Sequence, residues 1–194
     1  MTYRHALVLA LLMVLAPARP EAAQAGEPTD QIRADIDRLY EAVRQPGPSP
    51  GGDREAAEVM DRMFDWRRMA EAVLGRHWQQ RTAAERAEFT RLFGGLFRRA
   101  YLSRIHVVDA SKFQYLGDTI DGDRATVKTT VFTNKGSALA VDYAVRLADG
   151  QRWRVHDVRV ERVSLADNYR AQFDAFLARS SYAALVNKLR GAAP

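Results

Sequence analysis

The sequence predicts an α+β domain in which helices precede a four-stranded antiparallel sheet and more helices follow it. Apolar residues recur with the 3.6-residue period of helices up to about residue 107 and again after residue 164. Between these points the pattern changes to alternation, and turn residues separate the alternating runs. Consecutive strands joined by tight turns form an antiparallel meander, which indicates the α+β class.

The first 25 residues have the features of a secretory signal peptide. A mildly basic start precedes an unbroken apolar run from residue 6 to 16, and residues 23–25 form an A-x-A cleavage pattern. The apolar run is too short to cross a bilayer, which takes roughly 20 residues. We therefore expect residues 1–25 to be a cleaved signal peptide and residues 26–194 to form one domain. An N-terminal membrane anchor is the alternative.

The composition limits the kinds of site that the chain can carry. There is no cysteine, which excludes disulfides, thiolate metal sites and a lipoprotein anchor. An exported chain without disulfides suits a Gram-negative periplasm. The net charge is +5, yet no run of basic residues is longer than two. This pattern favours a solvated basic surface over a nucleic-acid site, and such a surface also suits anionic lipid headgroups or acidic partners.

Two helices are predicted before residue 64. Thr29 is expected to cap the first, which covers about residues 30–44. Residues 46–52 are rich in Pro and Gly and predict a surface loop. Residues 54–63 then form the second helix.

The next stretch, FDWRRMAEAVLGRHW, covers residues 64–78 and predicts a third helix. Its apolar residues follow the i, i+3, i+4, i+7, i+8 spacing of one helical face. Asp65 is placed to cap its start and Gly75 to end it. Asp65 and His77 are the plausible proton carriers of this stretch, and we interpret them as a cap and a surface residue.

The longest predicted helix begins with a capping box formed by Thr82 and Glu85. Gly94 and Gly95 lie in its middle, at a cost of about 1 kcal/mol each relative to Ala. Close packing of a neighbouring backbone is the favoured reason, and room for a ligand is the alternative. One face of the helix carries four aromatic residues spaced four apart: Phe89, Phe93, Phe97 and Tyr101.

The alternating runs predict four strands, and two helices close the chain. Ser164 and Asp167 resemble a capping box for the first of these helices, and Ser181 begins a shorter one. The turns are Asp-Gly, Asn-Lys-Gly and Asp-Gly sequences, which are typical of hairpins. The predicted strands cover residues 111–120, 125–133, 137–147 and 153–160.

Few residues suggest catalysis. His77, His106 and His156 are isolated from one another, and no metal-ligand spacing, nucleophile elbow or phosphate-binding loop is present. We therefore expect no metal, no cofactor and no enzymatic activity.

Asp157 is the one acid with a plausible catalytic role. On strand alternation it shares a face with Trp153 and Val155. A buried Asp on a sheet enclosed by helices can act as a general base, with a tyrosine such as Tyr143 as its partner. The favoured alternative is that Asp157 pairs with an arginine or a backbone N–H near a strand end.

Several stretches resemble the MlaC and toluene-tolerance auxiliary family of periplasmic lipid-binding proteins. The first is residues 64–78, followed by the capped helix over residues 82–101. The second is WRVHDVRVERVSLADNYRAQF, residues 153–173. The order and spacing match over about residues 30–190. One departure is Arg162, which stands where the family usually has Gly and puts the local turn in doubt.

The resemblance implies an NTF2-like curved sheet that N- and C-terminal helices wrap. It also implies a shuttle that carries phospholipid between the outer and inner membranes. Its expected partners are an inner-membrane ABC transporter complex and an outer-membrane lipoprotein complex. A carrier of hopanoid or another polycyclic lipid, and an NTF2-like enzyme on a small hydrophobic substrate, are the alternatives.

Under this hypothesis the acyl chains lie between the sheet and the helices, against apolar side chains. A well-filled core without a cavity is the alternative use of the same residues. The residues predicted to contact lipid are Met69, Val73, Phe93, Leu96, Phe97, Tyr101, Val141, Tyr143, Trp153, Val155 and Phe173.

Overall fold

The computed structural model describes residues 27–43, 50–102, 108–148 and 152–191. The predicted signal peptide, His106 and the turn at residues 149–150 lie outside the described residues. The helices are α1 (Glu27–Val43), α2 (Pro50–Met63), α3 (Trp66–Leu74), α4 (Ala83–Leu102), α5 (Leu165–Leu177) and α6 (Tyr182–Gly191). The strands are β1 (Val108–Asp121), β2 (Arg124–Thr133), β3 (Ala138–Ala148), β4 (Arg152–Val160) and β5 (Val163–Ser164).

The sheet has five strands in the order β1-β2-β3-β4-β5, so the prediction of four strands is wrong. All neighbouring strands are antiparallel. The additional strand, β5, has two residues, and Val163 pairs with Val160 of β4. A strand of two residues shows no alternation, so the sequence pattern contains no signal for it.

The turn between β4 and β5 contains the departure noted at Arg162. Glu161 and Arg162 have φ angles of 50° and 67°, in the left-handed region. Positive φ at both central residues is the pattern of a type I′ hairpin turn, which favours Asn-Gly. The Glu161 backbone and side chain both bond to Ala140, which holds the turn against β3. The turn therefore forms without glycine, at a conformational cost at Arg162.

The first two helices begin earlier than predicted. α1 begins at Glu27, so Thr29 lies in its first turn and is not the N-cap. Instead, its backbone N–H and its hydroxyl both donate to Asp118 of β1, at 3.1 and 2.5 Å. α2 begins at Pro50, four residues before the predicted start, because proline is suited to the first position of a helix.

The predicted caps of α3 and α4 are confirmed. The Asp65 carboxylate accepts a hydrogen bond from the Arg68 backbone N–H at 3.0 Å, and Gly75 ends α3 with a φ of 53°. Thr82 N–H donates to the Glu85 carboxylate at 2.8 Å, and Glu85 N–H donates to the Thr82 hydroxyl at 3.2 Å. The hydroxyls of Ser164 and Ser181 accept backbone N–H groups at the starts of α5 and α6.

Gly94 of α4 allows α3 to pack closely. A Cβ on Gly94 would lie 3.3 Å from the Trp66 ring, tighter than ordinary van der Waals contact. The Trp66 ring in turn stacks on Phe64, with ring centroids 4.9 Å apart. Close packing is therefore the reason for Gly94, although the neighbour is a side chain and not the predicted backbone.

Three different partners cover the outer edge of β4. At its start, the Gln31 side-chain amide accepts from the Trp153 N–H at 3.0 Å and donates to its carbonyl at 2.6 Å. Further along, Asp65 N–H donates to the Val155 carbonyl at 2.8 Å. β5 pairs with the end of the strand. These contacts satisfy backbone groups that an open edge strand would expose to association.

α1 lies against the sheet face on which Phe113 and Tyr115 stand. The Tyr40 and Phe113 rings meet edge to face at 5.6 Å, and the Arg33 guanidinium lies 4.6 Å from the Tyr115 ring centroid. Residues from all six helices and from β2, β3 and β4 join one buried apolar cluster. In the part of the chain described, no helix combines the length and apolar character that crossing a membrane requires.

Candidate functional site

The residues predicted to contact lipid all belong to this apolar cluster. Leu96 and Tyr101 are partly buried and pack against it. The buried members are Met69, Val73, Phe93, Phe97, Val141, Tyr143, Trp153, Val155 and Phe173. The structure thus brings the predicted set together, and their contact with a lipid stays a prediction.

The sheet supplies one wall of the cluster. In the register of β3 and β4, Val145 faces Val155 and Leu147 faces Trp153. Side chains two residues apart lie on the same face of a strand, so Val141 and Tyr143 continue this face along β3. The four predicted strand residues therefore lie on one face of the sheet.

The helices supply a wall rich in aromatic rings. The Phe93 ring meets the Tyr169 ring of α5 edge to face at 5.4 Å, and Phe97 contacts Tyr101 at 4.2 Å. Phe173 of α5 packs edge to face on an α4 ring at 5.9 Å. The regular spacing of aromatic residues in α4 thus continues into contacts with α5. Sequence analysis did not include Tyr169 in the site, although it lies on the same apolar face of α5 as Phe173.

An apolar groove of about 790 Å³ opens between α4, α5 and α6, and we call it the helix groove. Two of the predicted residues, Leu96 and Phe173, line it. Leu185 and Leu189 line it as well and are members of the buried cluster, so the core continues into the groove. The complete lining is Leu96, Tyr169, Gln172, Phe173, Ala175, Phe176, Arg179, Ser180, Leu185, Lys188 and Leu189.

Two cations lie among the residues that line the helix groove. The Lys188 ammonium lies 5.2 Å from the Phe176 ring centroid, and the Arg179 Nε donates to the Ala175 carbonyl at 3.4 Å. Apolar side chains with a few cations suit a ligand that has a hydrocarbon part and an anionic part. The volume falls within the roughly 300–1,000 Å³ that is usual for small-molecule sites.

Most of the other predicted residues are closed off from solvent in this structure. Met69, Val73, Phe93 and Val155 have no exposed surface, and they do not line the helix groove. A lipid that reaches these side chains must therefore separate helices from the sheet, whereas Leu96 and Phe173 are reached without such movement.

Two buried polar atoms lie within the apolar walls. The Tyr115 hydroxyl and the Trp153 indole nitrogen have no hydrogen-bond partner among the described residues. Burial raises the pKa of Tyr115, and that of the neighbouring Tyr143, so both hydroxyls stay protonated donors. A buried donor without a partner is costly, and a ligand oxygen would satisfy it. The strand pattern identified Tyr115 as a strand residue but gave no sign of its unpaired hydroxyl.

The expected face of Asp157 is wrong, because β4 contains a bulge. Ala144 pairs with Asp157 whereas the next residue of β3, Val145, pairs with Val155, so His156 is an extra residue. Asp157 consequently lies with Ala144 on the opposite face from Val155 and from Tyr143. This separates the proposed base from its proposed partner.

The alternative interpretation of Asp157 is confirmed. Its Oδ1 accepts a hydrogen bond from the Ala166 backbone N–H, in the first turn of α5, at 3.1 Å. Its Oδ2 lies 3.7 Å from the Arg159 Nε. A carboxylate at a helix N-terminus stabilises the helix through the unpaired N–H groups there. Asp157 thus joins β4 to α5.

His77 and His156, the histidines with described positions, make contacts that indicate a structural role. His77 Nε2 lies 3.0 Å from the Asp174 carboxylate of α5, so it links the turn after α3 to that helix. Burial lowers the pKa of His156, Arg68 and Arg124 add to this effect, and Asp157 and Asp65 oppose it, so the net shift favours the neutral ring. Among the residues with described positions, no group of three or more His, Asp or Glu side chains is arranged to hold a metal ion.

Comparisons with known proteins agree with these observations. The family model described as "MlaC protein" matches residues 32–191. The fold is similar to that of the phospholipid-binding protein from Ralstonia solanacearum, whose structure was determined in complex with a phospholipid. The two structures have a TM-score of 0.68 and 23% sequence identity, over 84% of this chain and 95% of that chain. No curated protein matches the chain.

Proposed function

The chain belongs to the MlaC family, and we propose that it is a periplasmic carrier that binds a phospholipid. We propose further that residues 1–25 direct its export and that it moves phospholipid between the outer and inner membranes. Its partners would be an inner-membrane ABC transporter complex and an outer-membrane lipoprotein complex. The frame for this task would be a single domain with an NTF2-like curved sheet.

The observation that supports this proposal most is the helix groove. Its lining includes Phe173, Leu185 and Leu189, which also belong to the core, so acyl chains there would join an existing apolar cluster. Arg179 and Lys188 would attract the headgroup phosphate. The phospholipid in the similar Ralstonia solanacearum structure supports the same class of ligand.

The bound lipid would extend from the groove towards the sheet. Acyl chains against Leu96 and Phe173 need little movement, whereas contact with Val155 or Met69 requires the helices to separate. The unpaired donors of Tyr115 and Trp153 would then meet ester or phosphate oxygens of the ligand. The predicted lipid-contacting residues would thus be used in two stages, first the two that line the helix groove and then those of the closed core.

The energetics of such a carrier require membrane partners. Burial of a methylene group is worth about 0.8 kcal/mol relative to water, so some thirty methylenes give a gross burial energy of roughly 24 kcal/mol, from which the cost of ordering the chains is subtracted. A bilayer is also apolar, and most of this difference cancels when the lipid moves between protein and membrane. Loading and release are therefore expected where the carrier docks at a membrane complex, and this task needs no catalytic residue.

The proposal is tested by solvent extraction of gently purified protein and by uptake of labelled phospholipid from liposomes. We expect an extracted lipid, and its mass distinguishes a phospholipid from a hopanoid. If no lipid is extracted and none is taken up from liposomes, the chain is not a lipid carrier.

A further inference from the structure

A row of arginines crosses the sheet on the face opposite to the apolar wall. Arg124 of β2 pairs with Arg146 of β3, and Arg146 pairs in turn with Arg154 of β4. Val145 precedes Arg146 and Val155 follows Arg154, and both valines are fully buried on the apolar face of the sheet. Alternation along each strand therefore places the three arginine side chains side by side on the opposite face.

This row is electrostatically unfavourable by itself. Like charges directly opposite each other on neighbouring strands destabilise a sheet. Among the described residues, Arg146 forms an ion pair with Asp123 at 2.5 Å, and no acidic partner accompanies Arg124 or Arg154. An anion bound between the arginine side chains would offset the repulsion between their charges.

α3 faces the row and closes a cleft with it, which we call the arginine cleft. One lobe has a volume of about 470 Å³ and the other about 330 Å³. Arg68, Glu71 and Arg146 line both lobes, so the two are continuous. The cleft shares no lining residue with the helix groove.

The charges around the arginine cleft leave it positive. Its acids are Asp65 and Glu71, and Asp123 stands beside Arg146. Asp65 is already engaged as the cap of α3 and in an ion pair with Arg68 at 3.1 Å. Five arginines against these three carboxylates give an excess of two positive charges. The arginines are Arg67, Arg68, Arg124, Arg146 and Arg154.

We propose that the arginine cleft binds a phosphate group. The planar guanidinium fork matches the oxygens of phosphate, and a tetrahedral phosphate offers oxygens to several guanidinium groups at once. A carboxylate offers two oxygens and would leave part of the row unpaired. The phosphate belongs either to a phospholipid headgroup at a membrane surface or to a free anion. The arginine cleft is separate from the helix groove, and this proposal does not depend on the carrier function.

The experiment compares two double variants with equal loss of charge. Arg124→Gln with Arg154→Gln removes the two arginines of the row that have no described acidic partner. The control, Arg38→Gln with Arg91→Gln, removes two exposed arginines of α1 and α4 that do not line the cleft. Binding is measured with inorganic phosphate by calorimetry at low salt. It is also measured by sedimentation with phosphatidylcholine vesicles, with and without phosphatidylglycerol.

We expect the cleft variant to bind at least roughly tenfold more weakly than the control, as expected when charge-assisted hydrogen bonds are lost. A loss seen with vesicles alone identifies the headgroup as the source of the phosphate, and a loss seen with inorganic phosphate alone identifies the free anion. Equal binding by the two double variants with both probes overturns the proposal. If the double cleft variant does not fold, Arg154→Lys decides. It keeps the charge and removes the fork, so binding as strong as that of the unmodified protein would also overturn the proposal.

Discussion

Replacement of Leu96 by Trp is expected to reduce phospholipid uptake strongly. Leu96 is partly exposed on α4 and lines the helix groove of about 790 Å³, so the larger ring would occupy the groove and spare the fully buried core. If the ring excludes roughly four methylenes, at about 0.8 kcal/mol each, binding weakens by about 3 kcal/mol. This corresponds to an affinity on the order of 100-fold lower.

The assay is uptake of a fluorescent phospholipid from liposomes, with folding checked by circular dichroism. Leu116→Trp is the matched control, because Leu116 is 64% exposed in β1 and does not line the groove. The control should take up lipid as the unmodified protein does. Undiminished uptake by Leu96→Trp would refute the placement of acyl chains in the groove. If Val141→Trp alone abolished uptake, the lipid would lie at the sheet.

Three further predictions concern stability. Arg162→Gly should raise the melting temperature by about 1–4 °C, because glycine removes a steric cost of about 1–2 kcal/mol at the φ of 67° and adds an entropic cost of about 0.5–1 kcal/mol; a lower melting temperature would contradict this. Gly95→Ala should stabilise α4 by up to about 1 kcal/mol, because its Cβ would meet only the flexible end of the Arg99 side chain, at 3.3 Å. Gly94→Ala should gain clearly less in the same chemical denaturation experiment, because its Cβ meets the Trp66 ring, and equal gains would contradict this packing. The hydrogen bond from the Thr82 backbone lowers the pKa of Glu85 in the folded protein. The ionised Glu85 carboxylate therefore stabilises the folded state fully at a pH above its unfolded-state pKa of about 4.3. This stabilisation is lost as the pH falls through the lower pKa of the folded state. Melting curves of Glu85→Gln and the unmodified protein should therefore converge as the pH falls from about 5 to about 3, and a constant difference would exclude this origin.

The helices and their caps were readable from the sequence because their causes are local. A cap depends on residues three positions apart, as with Asp65 and Arg68 or Thr82 and Glu85, and no distant part of the chain decides it. Thr29 shows the limit of this reasoning, since Asp118, distant in the chain, binds its hydroxyl and N–H. The long strands were predicted for a similarly local reason, because a strand with one buried face has alternating apolar and polar residues.

Features that depend on contacts between elements distant in the chain were not predictable. The bulge at His156 moves Asp157 to the other face, and nothing in the alternation of β4 marks the extra residue. Likewise, Gly94 was recognised as a point of close approach, but the identity of its neighbour, Trp66, depends on how α3 packs on α4. The candidate site follows the same division. Its apolar members were chosen from periodicity, whereas the groove that Leu96 and Phe173 line forms between α4, α5 and α6, which are brought together only by the fold.

Native mass spectrometry of gently purified protein tests the central claim most directly. The carrier account predicts a protein mass increased by that of one bound phospholipid, and a smaller bound fraction in Leu96→Trp than in Leu116→Trp. A spectrum that shows only the bare polypeptide mass, before and after incubation with phospholipid liposomes, would contradict the account.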